Sequence, residues 1–258
     1  MDSATQDQIH TLWDELADFS AAGSDEALTC LMDGLCTLAG AWNALWMGAV
    51  RLDATCPADP AKGWRPRFIR YLHPALAFDD AAQEHKKLDQ GVVDITTIRN
   101  LDNVGVFRAN RLCDLVGPEW FESPYYQSQY RDCGIGDAIW VAFPVNEDAE
   151  SWVGIYGAPD RPPFSETERD TVAYALRGLK WFHRQLMLSY GVLAAASSLT
   201  PTERRALRGL LTSLSEKQIA SELGQSYHTT HEYVTAIYRK FGVNNRAALM
   251  ALWLGKAV

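Results

Sequence analysis

The sequence predicts two domains: an α+β domain with a central antiparallel sheet flanked by helices over residues 1–190, and a small all-α four-helix domain over 199–258. Three observations predict this. Helical spacing dominates both ends of the chain, apolar and aromatic strand-like runs fill the middle, and charge is unevenly distributed. The 258 residues carry 24 Lys and Arg against 32 Asp and Glu, a net charge of −8. From Leu199 onward, however, eight cations (Arg204, Arg205, Arg208, Lys217, Arg239, Lys240, Arg246 and Lys256) stand against four acids, Glu203, Glu216, Glu222 and Glu232. A basic terminal module on an acidic body points to different partners for the two parts.

In QIHTLWDELADF, Ile9, Leu12, Trp13, Leu16 and Phe19 recur at helical spacing. SDEALTCLMDGLCTLAG follows, with Ser24 as N-cap, Leu28, Leu31, Leu35 and Leu38 on one face, and Gly40 as the stop. AWNALWMGAVRL and RPRFIRYLH read as strands and DDAAQEHKKLDQ as a polar helix. DAIWVAFPV and SWVGIYGA are strands joined by NEDAE as a hairpin, and CGIGDA before them is a turn entering a strand. Ser165 and Glu168 form a capping box after Pro162 and Pro163; Val172, Leu176, Leu179, Leu186 and Tyr190 then mark one long amphipathic helix. The small residues of 191–198, GVLAAASS, read as a linker.

Several classes drop out. The longest apolar runs are interrupted well short of the roughly 18 residues that a membrane span needs, so no membrane partner is expected. MDSATQDQIH has neither a basic nor an apolar leader region, which argues for the cytoplasm. Cys30, Cys36, Cys56, Cys113 and Cys133 lack CxxC spacing and read as reduced, mostly buried small hydrophobes. His228 and His231 are helically spaced, but no carboxylate or thiol completes a metal site. Without GxSxG, a Walker loop, GxGxxG or a Cys–His pair, neither catalysis nor a cofactor is expected.

The terminal module is the most specific part. Thr200 caps a helix that has Pro201 at its first position and Glu203 closing the capping box. A short helix over about 216–223, a turn at Gly224 and Gln225, and a third helix capped by Ser226 follow. Thr230, Val234, Ile237 and Phe241 form the buried stripe of that helix, and His228, Glu232, Thr235 and Arg239 the opposite, polar one. This is helix–turn–helix (HTH) geometry. LTPTE, LSEKQIASELG and IYRKFGVNNR resemble the LuxR/FixJ-type HTH domain without gaps over 199–255. The resemblance implies a DNA-binding transcription regulator with double-stranded DNA as partner.

In that family the base-contacting positions fall on His231, Glu232 and Thr235. Basic residues are frequent there in relatives and absent here. Ser213 replaces a usual Gly; Thr229, Thr230 and Tyr233 stand where Thr-Val-x-x-His is common, and Phe241 replaces Leu. Lys217, Ser226, Thr229, Arg239, Lys240 and Arg246 are expected on phosphates. Glu232 can accept from cytosine N4 and Thr235 can meet a thymine methyl. The alternative is an HTH that no longer reads DNA and acts as a protein-interaction regulator or antagonist, with Glu232 merely paired to His228 or Arg239. Leu249, Leu252 and Trp253 on the last helix offer a seam for a homodimer, or simply close the module's own core.

The order of elements over 1–190 resembles a GAF- or PAS-like sensory domain, carried best by WVGIYGAPDRPPFSETERDTVAYAL. A receiver domain is excluded by the missing strand–helix alternation. Acyl-homoserine-lactone-binding LuxR proteins also have a helix–sheet–helix sandwich. Their run of Trp, Tyr and Asp near a DP dipeptide is not evident, since Asp59–Pro60 lies in a polar loop, so a different ligand is expected. Among the aromatics around the sheet, Trp46, Tyr71, Tyr126, Trp140 and Tyr156 are the candidates to line a small-molecule pocket, or to be ordinary core. The helix over 165–190 would transmit occupancy to the HTH.

Overall fold

The computed structural model describes residues 1–52, 58–75, 77–193, 197 and 199–255. Cys56, Lys256 and positions 194–196 and 198 of the expected linker lie outside the described residues. Two compact units emerge: Met1–Leu16 with Thr29–Lys180, and Ala17–Leu28 with Trp181–Val258.

The first unit is built on a five-stranded antiparallel sheet in the order β2-β1-β5-β4-β3. The strands are β1 (Asn43–Arg51), β2 (Trp64–Tyr71), β3 (Arg108–Arg111), β4 (Asp137–Asn146) and β5 (Ala149–Gly157). Its helices are α1 (Ser3–Asp18), the greater part of α2 (Ser24–Ala39), α3 (Ala81–Asp89), α4 (Ile95–Leu101), α5 (Leu112–Leu115), α6 (Pro124–Gln129) and α7 (Glu166–Arg177). The α+β class is as the sequence predicts, and so is the hairpin, except that its strands run into the expected loop NEDAE: Asn146 ends β4, and Ala149 and the buried Glu150 open β5.

Alternation of side chains across the sheet decides what the unit can hold. In β1, Trp46 opposes Val153, whereas Leu45 opposes Gly154 and Tyr71. Leu45, Met47 and Ala49 therefore share a face with Trp152, Tyr156 and Trp140. Trp46 shares the other face with Val153 and Val141. All nine residues of β5 are buried, so its sequence shows no polar alternation.

Two expectations need correction. Ser24 is not a cap: the Ala27 N–H already donates to the Gly23 carbonyl, and the buried Ser24 hydroxyl has no partner among the described residues. The predicted helix over 165–190 is two helices, α7 and α8 (Lys180–Ser189). Trp13 explains the break. Its indole N–H donates to the Ala175 carbonyl at 2.8 Å, the acceptor that Leu179 N–H would use in a continuous helix. Leu179 turns instead to Leu176 at 3.1 Å. Gly178 permits this, because the Trp13 ring lies 2.6 Å from where a Cβ would sit.

The second unit contains α8, α9 (Pro201–Leu210), α10 (Glu216–Leu223), α11 (Tyr227–Phe241) and α12 (Arg246–Trp253). Local chemistry sets its boundaries. Thr200 with Glu203 and Ser215 with Gln218 make reciprocal capping boxes, and Ser226 and Asn245 cap the last two helices. Gly224 ends α10 at φ +66°, a conformation that disfavours side chains with a Cβ and turns the chain into α11. Thr230, Val234, Ile237 and Phe241 are buried, as the spacing requires.

Candidate nucleic-acid interface and ligand cavity

The outer face of α11 carries His228, Glu232, Thr235 and Arg239, all exposed. His228 lies 3.5 Å from Glu232, and the His231 ring nitrogen Nδ1 lies 2.9 Å from Glu216 on α10. Tyr227, half exposed, stacks on His231. Lys217 at the start of α10 and Arg239 near the end of α11 are exposed and have no ion-pair partner among the described residues. Ser226 and Thr229 hydroxyls lie 2.9 Å apart, and the Ser226 oxygen accepts from the Thr229 N–H.

Two expected phosphate ligands are engaged inside the fold. Arg246 donates to the carbonyls of Leu210 at 2.7 Å, Leu214 at 2.5 Å, Gly209 at 3.2 Å and Thr212. It gathers the acceptors left open at the end of α9 and in the loop after it. Lys240 donates to Glu203 at 2.7 Å, the acid that also closes the α9 capping box. Burial alone would raise the Glu203 carboxyl, but Lys240 and the Thr200 donors hold it below its ordinary value. The residues expected at a dimer seam lie otherwise. Leu249 and Leu252 are buried in the unit's own core, and the Trp253 ring packs 5.9 Å from Phe241. On α12 it is Met250, together with Leu254 just beyond it, that is exposed.

The first unit holds a partly open cavity of about 180 Å³ between the Leu45–Met47–Ala49 face of the sheet and α3, α4 and α6. Of the candidate ligand residues Tyr71, Trp140 and Tyr156 line it, and Trp64, Tyr125, Tyr130, Trp152 and Phe78 join them. Trp46 does not: it is fully buried on the opposite face and donates to the Ser151 hydroxyl at 2.8 Å. Tyr126 does not line it either, being tied by its hydroxyl to the Gly136 carbonyl at 2.7 Å in the adjoining core. Gly154 leaves room for the wall, since Trp140 lies 3.0 Å from where its Cβ would be.

The cavity's polar groups come from segments that sequence periodicity left silent. Asp79 and Glu84 line one end, where the Lys87 ammonium donates to both carboxylates and to Gln129 at 3.0 Å. Burial, helped by Asp79, raises the Glu84 carboxyl above its ordinary range against the pull of Lys87. Burial likewise pushes the Tyr71 phenol up. Trp64 and Trp152 are buried, and their indole N–H groups have no acceptor among the described residues. Asp59, expected in a polar loop, has its carboxylate only 11% exposed and bonded to Arg65 at 2.9 Å.

Residues 197–253 match the family of bacterial regulatory proteins described as luxR. This segment is a luxR-family HTH domain. Over nearly the whole chain the fold is like that of SdiA in complex with octanoyl-rac-glycerol, with TM-score 0.50, 12% identity, 99% of this chain and 96% of that one covered. The VqsR ligand-binding domain from Pseudomonas aeruginosa aligns at TM-score 0.44 and 12% identity, over 72% of this chain and 98% of that one. Escherichia coli SdiA in another crystal structure aligns at TM-score 0.42 and 13% identity, over 95% and 94%. No curated protein matches the sequence. The chain thus has the architecture of a LuxR-type regulator, an α+β domain followed by the luxR HTH. No helix among the described residues is long and apolar enough to cross a membrane.

Proposed function

We propose that this protein is a cytoplasmic transcription regulator that binds double-stranded DNA through α11 and is controlled by a small molecule held in the α+β domain. The observation that carries the reading is the exposed polar face of α11 on a luxR HTH, flanked by the uncommitted cations Lys217 and Arg239. Those two supply phosphate contacts, with Ser226 and Thr229 at the helix start, while His231, Glu232 and Thr235 meet base edges. A cavity walled by aromatic and apolar side chains with a few polar groups is what a small-molecule site requires. A second copy of the chain would meet α12 through Met250 and Leu254 rather than through Leu249 and Leu252.

Fluorescence anisotropy against selected genomic fragments at several salt concentrations tests the DNA reading. Arg239→Ala is expected to weaken binding to all sequences and to lower the salt slope by about 1. Glu232→Ala is expected to change base preference, with a discrimination effect of about 1–3 kcal/mol at one position. Absence of binding at low salt, with a stable protein complex instead, would establish the second reading, a protein-interaction regulator or antagonist. The His231–Glu216 pairing on the reading face favours that alternative, because it occupies a residue expected to meet bases.

A further inference from the structure

His231 stands on the exposed side of α11, but its ring is held from two directions. Its Nδ1 lies 2.9 Å from a carboxylate oxygen of Glu216. The Tyr227 ring stacks on it at 6.1 Å between centroids and 20° between planes. Both neighbours start from fixed points. Glu216 opens α10 directly after Ser215, which forms a capping box with Gln218, and Tyr227 opens α11 directly after its cap Ser226. Tyr227 and His231 are four residues apart, so their rings meet along one side of the helix.

The chemistry of the Glu216 contact assigns the ring hydrogen. A carboxylate only accepts, so the bond requires the hydrogen on Nδ1. In the neutral imidazole Nε2 is then an acceptor, and it has no partner among the described residues. The pairing that speaks for an interaction role thus uses one nitrogen and leaves the other for a base. Glu232, the next residue, is another acceptor; its side chain is 66% exposed, with His228 3.5 Å away. The uncommitted donors Lys217 and Arg239 lie elsewhere, at the start of α10 and about two turns further along α11. In the major groove cytosine offers an amino donor at N4, whereas guanine offers the acceptors N7 and O6. Acceptors at both His231 and Glu232 fit the first and oppose the second.

From this geometry we propose that Glu216 and Tyr227 are positioning residues for base recognition. They fix His231 with its hydrogen on Nδ1 and Nε2 turned outward. The helix α11 then meets the groove at His231 and Glu232 with acceptors alone, and selects DNA that places cytosine rather than guanine under each. This rests on the reading of α11 as the DNA-binding helix, and it goes further by naming the bases and the two residues that set the choice.

Two measurements on the intact protein provide the test. With nitrogen-15-labelled histidine at pH 8.0, and His231→Gln to assign the signal, NMR of the DNA-free protein is expected to show the hydrogen on Nδ1. Glu216→Lys offers Nδ1 only donors, so the hydrogen should move to Nε2. Selection from a randomised duplex library is expected to return cytosine over guanine by about tenfold at two positions. Glu216→Lys should lose that preference at one of them and accept guanine there, whatever its added charge does to overall affinity. Tyr227→Ala should weaken the preference at the same position, whereas Tyr227→Phe, which keeps the stacked ring, should retain it. Thermal melting checks that each variant is folded. A hydrogen on Nε2 in the unsubstituted protein, or an unchanged preference in Glu216→Lys or Tyr227→Ala, overturns the assignment while leaving α11 as the DNA-binding helix. Recovery of no preferred sequence would sink both the assignment and the DNA reading on which it rests.

Discussion

In the α+β unit, the Arg108 side chain is 7% exposed, meets Glu150 at 2.8 Å and lies over the Trp152 ring. On α11, Arg239 stands in solvent with no ion-pair partner among the described residues. The same side chain thus does opposite work in the two units. In the first, polar groups turn inward: Arg108–Glu150 beside Trp152, and Lys87 with Asp79 and Glu84 at the cavity end. Recognition there would act by desolvation, which punishes an unmatched charge severely. In the second, the outer face of α11 is water-exposed, where charges attract at long range but pair only weakly. The inward arrangement suits selecting a small molecule by chemistry, and the outward one suits holding a polyanion.

That contrast can be broken most forcefully at Glu150. Glu150→Ala leaves the Arg108 guanidinium buried without its bidentate partner and frees the Gly105 N–H that Glu150 also accepts. A loss of about 3–5 kcal/mol is expected in urea unfolding followed through the aromatic signal. A loss below about 1 kcal/mol would mean that water reaches the pair and that the inward description is mistaken.

A smaller effect is expected at Asp25, in the first turn of α2. It accepts from the Tyr190 hydroxyl at 2.5 Å and from Arg204 and Arg208, all within the second unit. Burial would raise its carboxyl, but the Tyr190 hydroxyl and the two guanidinium groups outweigh that and hold it below its ordinary value of 3.8. A depressed folded-state value adds stability above the unfolded pKa, and that stability is lost as pH falls through the folded one. The contribution should therefore be intact at pH 7, begin to fall below about pH 4 and be gone only once the pH is below the depressed folded value. Asp25→Asn should cost about 1.5–3 kcal/mol at pH 7 and progressively less in acid, as read by denaturant melts over pH 3–7. A pH-independent cost would show that the charge is not what matters.

The smallest effect has the opposite sign. Thr230 is fully buried and its hydroxyl has no partner among the described residues. Thr230→Val keeps the shape and removes the stranded hydroxyl, so it should stabilise the HTH by about 1 kcal/mol. It should leave DNA affinity unchanged, since the residue faces away from the exposed side of α11. A destabilised variant would indicate that a hidden water satisfies the hydroxyl.

Most of the HTH was legible in the sequence because its signals are local. Thr200–Glu203 and Ser226 each satisfy N–H groups within three residues, and the 3.6-residue period sorted Thr230, Val234, Ile237 and Phe241 from the exposed stripe. What the residues of this module do with their charge was less legible. Lys240 and Arg246 look as available in sequence as Arg239, yet their partners, Glu203 and the carbonyls of Gly209, Leu210, Thr212 and Leu214, lie more than thirty positions away. In the α+β domain, Tyr71, Trp140 and Tyr156 were found but Trp46 was not separated from them. β1 and β5 are covered on both faces, and a strand without polar alternation does not reveal its parity.

By itself, then, the sequence determined the order of an α+β part before a helical one, the β4–β5 hairpin, the caps at Ser165, Thr200 and Ser226, and the luxR HTH, all of which rest on short-range spacing. The tertiary structure alone decided the break at Gly178, the inward use of Arg246 and Lys240, and the acidic end of the cavity. Each of these depends on a partner brought from far along the chain. Trp13 takes the Ala175 carbonyl, and α6 delivers Gln129 to Lys87; neither approach has a period to read. Local order is written in spacing, whereas the competition for a single carbonyl or carboxylate is settled only when distant segments meet.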